Sequence, residues 1–283
     1  MFNERIVLIT GGTGSLGKAL AKHILKEYKV KKLIIFSRDW LKQLELKDDL
    51  GERENVRYFI GDVRSLDRLK LALDGVDYVI HAAAIKDLDT CSYNPNEAVL
   101  TNVIGTQNVA MACIHNRVKM AVFISTDKAV NPINTYGKTK ALAEDLWLHS
   151  AAYASNRTWF TVARYGNIFG SAGSVVPRFK KMIANGVELL PLTHFDCTRY
   201  FFTLDQAIRL IEQCISSKDG AVLIPKMPSY YVRDLIRAFG KPFTEIGLRE
   251  NEKIDETCDG ITDSHENTDF LTTEDLRKEI SKT

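Results

Sequence analysis

A doubly wound parallel α/β sheet with a smaller carboxyl-terminal lobe is the fold class that this 283-residue sequence predicts. Three observations predict it. Short β-branched runs, apolar on both faces, alternate with segments of helical period, as strands buried on both sides require. The first run passes directly into Gly11-Gly12-Thr13-Gly14-Ser15-Leu16-Gly17 and then into a helix, the setting in which a glycine-rich turn brings backbone amides close to a pyrophosphate. Farther on, Ser125-Thr126-Asp127-Lys128 follows another apolar run, and Tyr136 and Lys140 come one helical turn apart. Polar groups of those types at that spacing are hard to explain as packing.

Composition narrows the class. Apolar and charged fractions of 45% and 26% match an ordinary folded domain. A net charge of +2 gives no reason to expect a nucleic-acid partner. No leader-like segment precedes the first strand and no apolar stretch is long enough to span a bilayer, so the expectation is no membrane association and a cytoplasmic protein. Cys91, Cys113, Cys197, Cys214 and Cys258 are scattered without metal-ligand spacing, so neither a disulfide framework nor a metal site is expected.

In chain order, residues 5–10 read as the first strand and residues 18–28 as the helix after the glycine-rich turn, where Gly11, Thr13, Gly14, Ser15, Leu16 and Gly17 would hold a dinucleotide. The second strand, residues 32–36, ends in Ser37-Arg38-Asp39 with Lys42 one turn on. An arginine there neutralises a 2′-phosphate and an acid accepts from a 2′-hydroxyl; the order of residues favours NADP, with Asp39 turned inward as the alternative. After the third strand, residues 56–60, Asp62 and Val63 fall where an adenine edge would lie, and Asp62 could instead cap the next helix. Residues 78–84 give the fourth strand and an exit of small residues, Ala82, Ala83 and Ala84, against which a cofactor can lie flat. His81 lies within that apolar run and reads as a core histidine. Lys86 emerges where ligands bind in such folds, as a ligand contact or a loop residue. A long helix is expected from Pro95 to about Asn116, then a fifth strand at residues 121–124 with Ser125 at its tip. The following helix puts Tyr136 and Lys140 on one face. An ammonium there, with a cationic nicotinamide, would lower the phenol toward neutrality so that it can act as a base.

Gly11-x-x-Gly14-x-x-Gly17 with Tyr136-x-x-x-Lys140 resembles the extended short-chain dehydrogenase/reductase family of Rossmann folds. The longer run from Ser125 through Gly137 is similar to the soluble, C5-inverting UDP-N-acetylglucosamine 4,6-dehydratases of pseudaminic acid synthesis. Ser37-Arg38-Asp39, His81-Ala82-Ala83-Ala84, Arg164-Tyr165-Gly166-Asn167 and Gly173-Ser174-Val175-Val176-Pro177 extend the resemblance over nearly the whole chain. It implies an NADP-dependent hydro-lyase for cell-surface sugars, with Tyr136, Lys140 and Thr126 serving the O4 proton, Lys128 removing the C5 proton and Asp127 protonating the leaving 6-hydroxyl. It also implies Ser125 and Tyr165 beside the cofactor, and Lys86, Asn167, Val176, Thr193, Arg199, Arg249 and Glu252 against UDP-N-acetylglucosamine. A homo-oligomer, dimer or hexamer, is a further implication. Competing readings are another nucleotide-sugar epimerase or retaining dehydratase, and a non-catalytic NADP-binding protein.

Past Phe169 the strand pattern gives way to loops, a basic helix over residues 177–185, and a short strand and helix over residues 200–214. The expected division is a cofactor domain at 1–168 and a substrate lobe at 169–283, with some segments returning to the sheet. In the family, a segment like 247–253 holds the nucleotide, the arginine on phosphate and the glutamate on ribose. Here Glu250-Asn251 stands for the usual Pro-Gly and Asp255 for a histidine; an acid added near a diphosphate would weaken its binding. The tail from Thr262 is short for the family.

Overall fold

Runs such as Ile6-Val7-Leu8-Ile9 and Leu33-Ile34-Ile35-Phe36 have no polar face, so they are stable only where helices cover both sides. In the computed structural model, which describes residues 1–155, 157–217 and 220–283, they are covered in that way. The first half of the wound sheet is β1 (Ile6–Thr10), α1 (Ser15–Glu27), β2 (Lys32–Ser37), α2 (Trp40–Leu50), β3 (Val56–Ile60), α3 (Leu66–Ala72) and β4 (Tyr78–His81). The second is α4 (Leu88–Tyr93), α5 (Pro95–Ala98), α6 (Gly105–His115), β5 (Met120–Ile124), α7 (Thr135–His149) and β6 (Trp159–Ala163). Then come α8 (Val175–Ala184), β7 (Leu190–Leu192), β8 (Thr198–Tyr200), α9 (Leu204–Ser216), β9 (Val222–Leu223), β10 (Ser229–Tyr231), α10 (Val232–Ala238), β11 (Phe243–Glu245) and α11 (Thr273–Ser281).

The main sheet has seven strands in the order β3-β2-β1-β4-β5-β6-β9, and every pairing in it is parallel. From β1 the chain winds outward through β2 and β3, then crosses back to β4 and winds the other way. The loops after β1 and β4 therefore diverge and leave a crevice at the carboxyl ends of the strands. Leu20 and Ile24 of α1 share one core with Ile211 and Cys214 of α9. On the opposite face Leu69, Val109 and Trp147 pack with Phe123 and Phe160.

The division at residue 168 is crossed. The apolar stripe of α9, Ala207, Ile208, Leu210, Ile211, Cys214 and Ile215, is buried in the core of the cofactor sheet, and β9 extends that sheet beyond β6. The smaller lobe is built from α8, α10 and α11 and the short pairs β7/β11 and β8/β10, around Phe179, Leu190, Tyr230, Leu235 and Leu276.

The helix expected from Pro95 to Asn116 exists as a path with a π-helical interruption at Val99–Ile104. Such turns often lie at functional sites because they re-aim side chains. Asn102 within it accepts from Ile85 N (2.8 Å) and donates to Ile85 O (2.9 Å) and Thr139 Oγ1 (3.1 Å), tying the loop after β4 to α7. His81 is a core histidine, its ring between Thr10 Oγ1 (2.7 Å) and Thr106 Oγ1 (3.0 Å). The five cysteines are buried and unbridged. Among the described residues, no helix is long and apolar enough to cross a membrane and no cluster of potential ligands could hold a metal.

Candidate active site

A cavity of about 730 Å³ opens at the carboxyl edge of the sheet, between it and the smaller lobe. Its floor is the glycine-rich turn. Gly11 has φ +65°, and a Cβ there would stand 2.8 Å from Ala83 N; one at Gly17 would stand 2.5 Å from Gly12 Cα. Only glycine lets these backbones meet. Helix α1 starts at Ser15 with no side-chain cap and no acid in its first turn, so its free amides face the cavity with the positive end of the helix dipole. That end suits a diphosphate.

The residues expected at a dinucleotide line this one cavity: Gly11, Thr13, Gly14, Ser15, Leu16, Gly17, Ser37, Arg38, Asp39, Lys42, Asp62, Val63, Ala82, Ala83, Ala84, Lys86, Ser125, Tyr136, Lys140 and Tyr165. Asp39 caps α2 by accepting from Lys42 N at 3.1 Å, and Lys42 Nζ is 3.2 Å from its other oxygen. Ser37 and Arg38 are thereby left at the strand tip. Asp62 does not cap α3, a task taken by Ser65. It pairs with Arg64 at 2.8 Å and faces Arg38 at 3.6 Å.

The parallel register carries the chemistry into place. Past β5 the ladder to β6 continues with Ser125 N donating to Ala163 O (2.8 Å) and Asp127 N to Tyr165 O (3.0 Å), after which residues 127–129 make a single 3-10 turn. Asn134 caps α7, accepting from Gly137 N at 2.8 Å. Gly137 lets the helix press on the turn: a Cβ there would lie 2.2 Å from Lys128 O. Lys128 Nζ is bonded to Asp127 Oδ1 at 3.0 Å and to Asn167 Oδ1 at 3.3 Å, and it pairs with Glu256 Oε1 at 3.1 Å. Thr126 Oγ1 donates to Asp127 Oδ1 at 2.9 Å. Burial works against a charge on Lys128, but the two carboxylates outweigh it and hold the ammonium above its ordinary value. Burial raises the Asp127 carboxyl, with Glu256 adding to the rise against the pull of Lys128.

Asp127, Arg199 and Thr193 stand otherwise than expected. Asp127 is fully buried and stands behind the cavity wall formed by Thr126 and Lys128, because its backbone is bound into the sheet extension; its Oδ2 has no hydrogen-bond partner. Among the chain's own groups, burial holds the Tyr136 phenol up at about 12, with Lys128 and a hydrogen bond with Thr126 acting the other way. Burial pulls the Lys140 amine down to about 7, and Nζ donates to Ile124 O at 2.6 Å. Arg199 reaches the cavity, but its guanidinium is spent on Thr198 O, Ile254 O, Lys253 O and Glu252 Oε1, all within 3.0 Å. It braces the segment holding Glu252 and does not stand free for a diphosphate. Thr193 is not on the wall; its hydroxyl faces Cys197 Sγ at 3.8 Å.

Asn167, Val176, Arg249 and Glu252 do line the cavity. Arg249 lies at its rim, 3.3 Å from Asp89. Neither Glu250 nor Asp255 lines it; Asp255 turns into the lobe to accept from Thr198 Oγ1 at 2.6 Å, so these substitutions put no acid on the cavity wall. Sequence reasoning gave no role of their own to Glu256, Asn102, Asn134 and Gly137. Asn134, three residues before a glycine whose amide it caps, carried a helix-start signal. Glu256, in an irregular polar segment, carried none.

Three comparisons place the chain among known proteins. UDP-N-acetylglucosamine 4,6-dehydratase (inverting) from Campylobacter jejuni subsp. jejuni serotype O:23/36 (strain 81-176) is 45% identical over 269 residues, covering 94% of this chain and 80% of that protein. UDP-glucose 4-epimerase from Rickettsia akari is 39% identical, covering 89% and 77%. The structure of Pen from Bacillus thuringiensis superposes with a TM-score of 0.92 at 35% identity, covering 100% and 98%. That of DesIV, a dTDP-glucose 4,6-dehydratase from Streptomyces venezuelae with NAD and TYD bound, shares the fold with a TM-score of 0.81 at 18% identity. The family model described as polysaccharide biosynthesis protein matches residues 7–276, and the chain belongs to that family.

Proposed function

We propose that this protein is a C5-inverting UDP-N-acetylglucosamine 4,6-dehydratase that uses NADP and serves cell-surface sugar synthesis of the pseudaminic acid type as a cytoplasmic homo-oligomer. The observation that carries the reading is the cluster at Lys128. A redox enzyme or epimerase needs a group at O4, which Tyr136 supplies; it has no use for a lysine and an acid poised one residue apart beside it. The likeness to a UDP-glucose 4-epimerase makes an epimerase the second reading.

NADP is favoured over NAD because Asp39 is occupied as a helix cap, leaving Arg38 at the strand tip for a 2′-phosphate. Gly11 through Gly17 and the amides of α1 would hold the pyrophosphate, with Lys140 and Ser125 toward the nicotinamide end. Bound NADP+ would supply a positively charged hydride acceptor beside Tyr136, taking hydride from C4 and returning it to C6. That charge is what the phenol requires, since the chain's own groups leave it above its ordinary value.

With O4 as a ketone, the C5 hydrogen is acidic. Lys128, on the wall, takes that proton as the neutral amine, after releasing its own. Asp127, its carboxyl raised by burial, gives one to the departing 6-hydroxyl through Thr126, whose hydroxyl it holds, so that water leaves and not hydroxide. A proton from water added to C5 on the opposite face inverts it, and Lys128 returns the proton it took to solvent. Arg249 and Asn167 position the nucleotide and sugar, Val176 closes the side, and Glu252 is held toward the ribose by Arg199. Incubation with UDP-N-acetylglucosamine tests the reading by mass: loss of one water supports it, whereas unchanged mass with altered configuration at C4 makes the protein an epimerase.

A further inference from the structure

An ammonium has three N–H groups, and those of Lys128 have three oxygens within reach: Asp127 Oδ1, Asn167 Oδ1 and Glu256 Oε1. Before Nζ can accept a proton it must release one. Two of the partners are neighbours through the sheet extension. Glu256 comes from the far end of the chain, in the segment that folds back under the lobe. It is 2% exposed, and that segment is pinned by Ser264, which accepts from Glu256 N at 3.0 Å and whose own N donates to Glu256 O at 2.8 Å. A buried carboxylate is costly unless paired, yet Oε2 has no hydrogen bond, with Lys253 Nζ at 3.8 Å. The charged groups acting on this pair are Asp127, Lys253 and Arg199, and Lys128 and Arg199 hold Glu256 ionised against the effect of burial.

We propose that Glu256 is a positioning residue for Lys128, aiming the amine and setting how readily it gives up the proton that blocks its action as a base. This rests on the dehydratase reading for its place in turnover, though not for its effect on the lysine. Asp127 and Glu256 divide their work: Asp127 is the acid behind the wall, and Glu256 keeps the lysine charged and directed until substrate is in place.

Two measurements on Glu256→Gln, which keeps the volume and removes the charge, test it. The first is the rate at which a small acylating reagent labels Lys128 at fixed alkaline pH, followed by peptide mass spectrometry with the exposed Lys26 as internal reference. Losing a carboxylate at 3.1 Å frees the amine, so labelling of Lys128 relative to Lys26 should rise about tenfold or more. An unchanged ratio overturns the proposal. The second is the pH profile of turnover: the acid limb of kcat/KM should move down by about one pH unit while kcat falls and KM stays. A fall in kcat with an unmoved limb means a structural role only, and overturns the proposal. Should Glu256→Gln fail to fold, Glu256→Asp retains the charge on a shorter stem; slow labelling with reduced kcat supports the inference, and unchanged kcat opposes it. Failure of the wild-type protein to consume UDP-N-acetylglucosamine would strike the functional reading alone, since labelling is read without substrate.

Discussion

Gly137→Ala disturbs the site's geometry while removing no reactive group. The glycine sits in the first turn of α7, where a Cβ would come 2.2 Å from Lys128 O and 3.1 Å from Pro132 Cβ. A carbon and a carbonyl oxygen settle at about 3.3 Å, so α7 and the turn at residues 127–129 must part by roughly 1 Å. Neither side yields easily. Asn134 ties the helix start to Asn251 O at 2.9 Å, and the turn is held by Asp127 N on Tyr165 O at 3.0 Å. Overpacking of this kind costs about 1–3 kcal/mol, a loss of several degrees in melting temperature for a chain of this size. The larger effect falls on chemistry, because Tyr136 rides on the helix and Lys128 on the turn. A 1 Å misplacement of reacting groups costs about 100-fold in rate, and it should appear in kcat, with cofactor affinity retained because the glycine-rich turn is untouched. Product formation, fluorescence titration of NADPH and thermal melts read the three quantities. A variant with kcat within about twofold of wild type would refute the claim that this contact sets the spacing of Tyr136 and Lys128. So would a loss of turnover wholly matched by lost cofactor affinity.

Other perturbations act on separate parts of the molecule. Gly17→Ala drives a Cβ to 2.5 Å from Gly12 Cα, so dinucleotide binding, followed by fluorescence titration, should be abolished in a chain that still folds; retained affinity would contradict the cradle. Arg38→Ala should raise the Kd for NADP by about ten- to a hundredfold, the worth of one charge-assisted contact, and leave that for NAD nearly unchanged; equal effects on both would favour NAD as the cofactor. His81, lowered from 6.5 to about 3 by burial, takes its proton later in the folded chain than in the unfolded one. Its stabilising contribution is therefore full above about pH 6.5 and lost as pH falls toward 3, amounting to roughly 2 kcal/mol between pH 7 and pH 5. Melts at the two pH values should show this drop, and it should shrink in His81→Asn; an equal drop in both would assign it elsewhere.

Legibility followed the range of the interactions. The glycine-rich turn, the apolar strands and the run from Ser125 to Lys140 are local patterns, so the cofactor half and most of its cavity wall could be read from residue type and spacing. That some later segment returns to the sheet is legible, but not that α9 is the one, because an amphipathic stripe announces a buried face without saying what buries it. The expected long helix contained a π-helical turn for the sake of Asn102, whose partners Ile85 and Thr139 lie on other elements. Arg199 looked like a phosphate ligand by type, but its guanidinium is consumed by backbone carbonyls, which have no signature in composition. Tyr136 and Lys140 share a helix face as their spacing requires, while the burial that holds the phenol up and the amine down is set by the tertiary fold. Glu256 meets Lys128 only through the tertiary fold.

Internal return of hydride is the central claim, and a substrate carrying deuterium at C4 tests it most directly. UDP-N-acetylglucosamine so labelled, incubated with the wild-type protein and followed by NMR and mass spectrometry, should give a product short of one water with the deuterium at C6. Deuterium still at C4 of a sugar that has lost no water would contradict it.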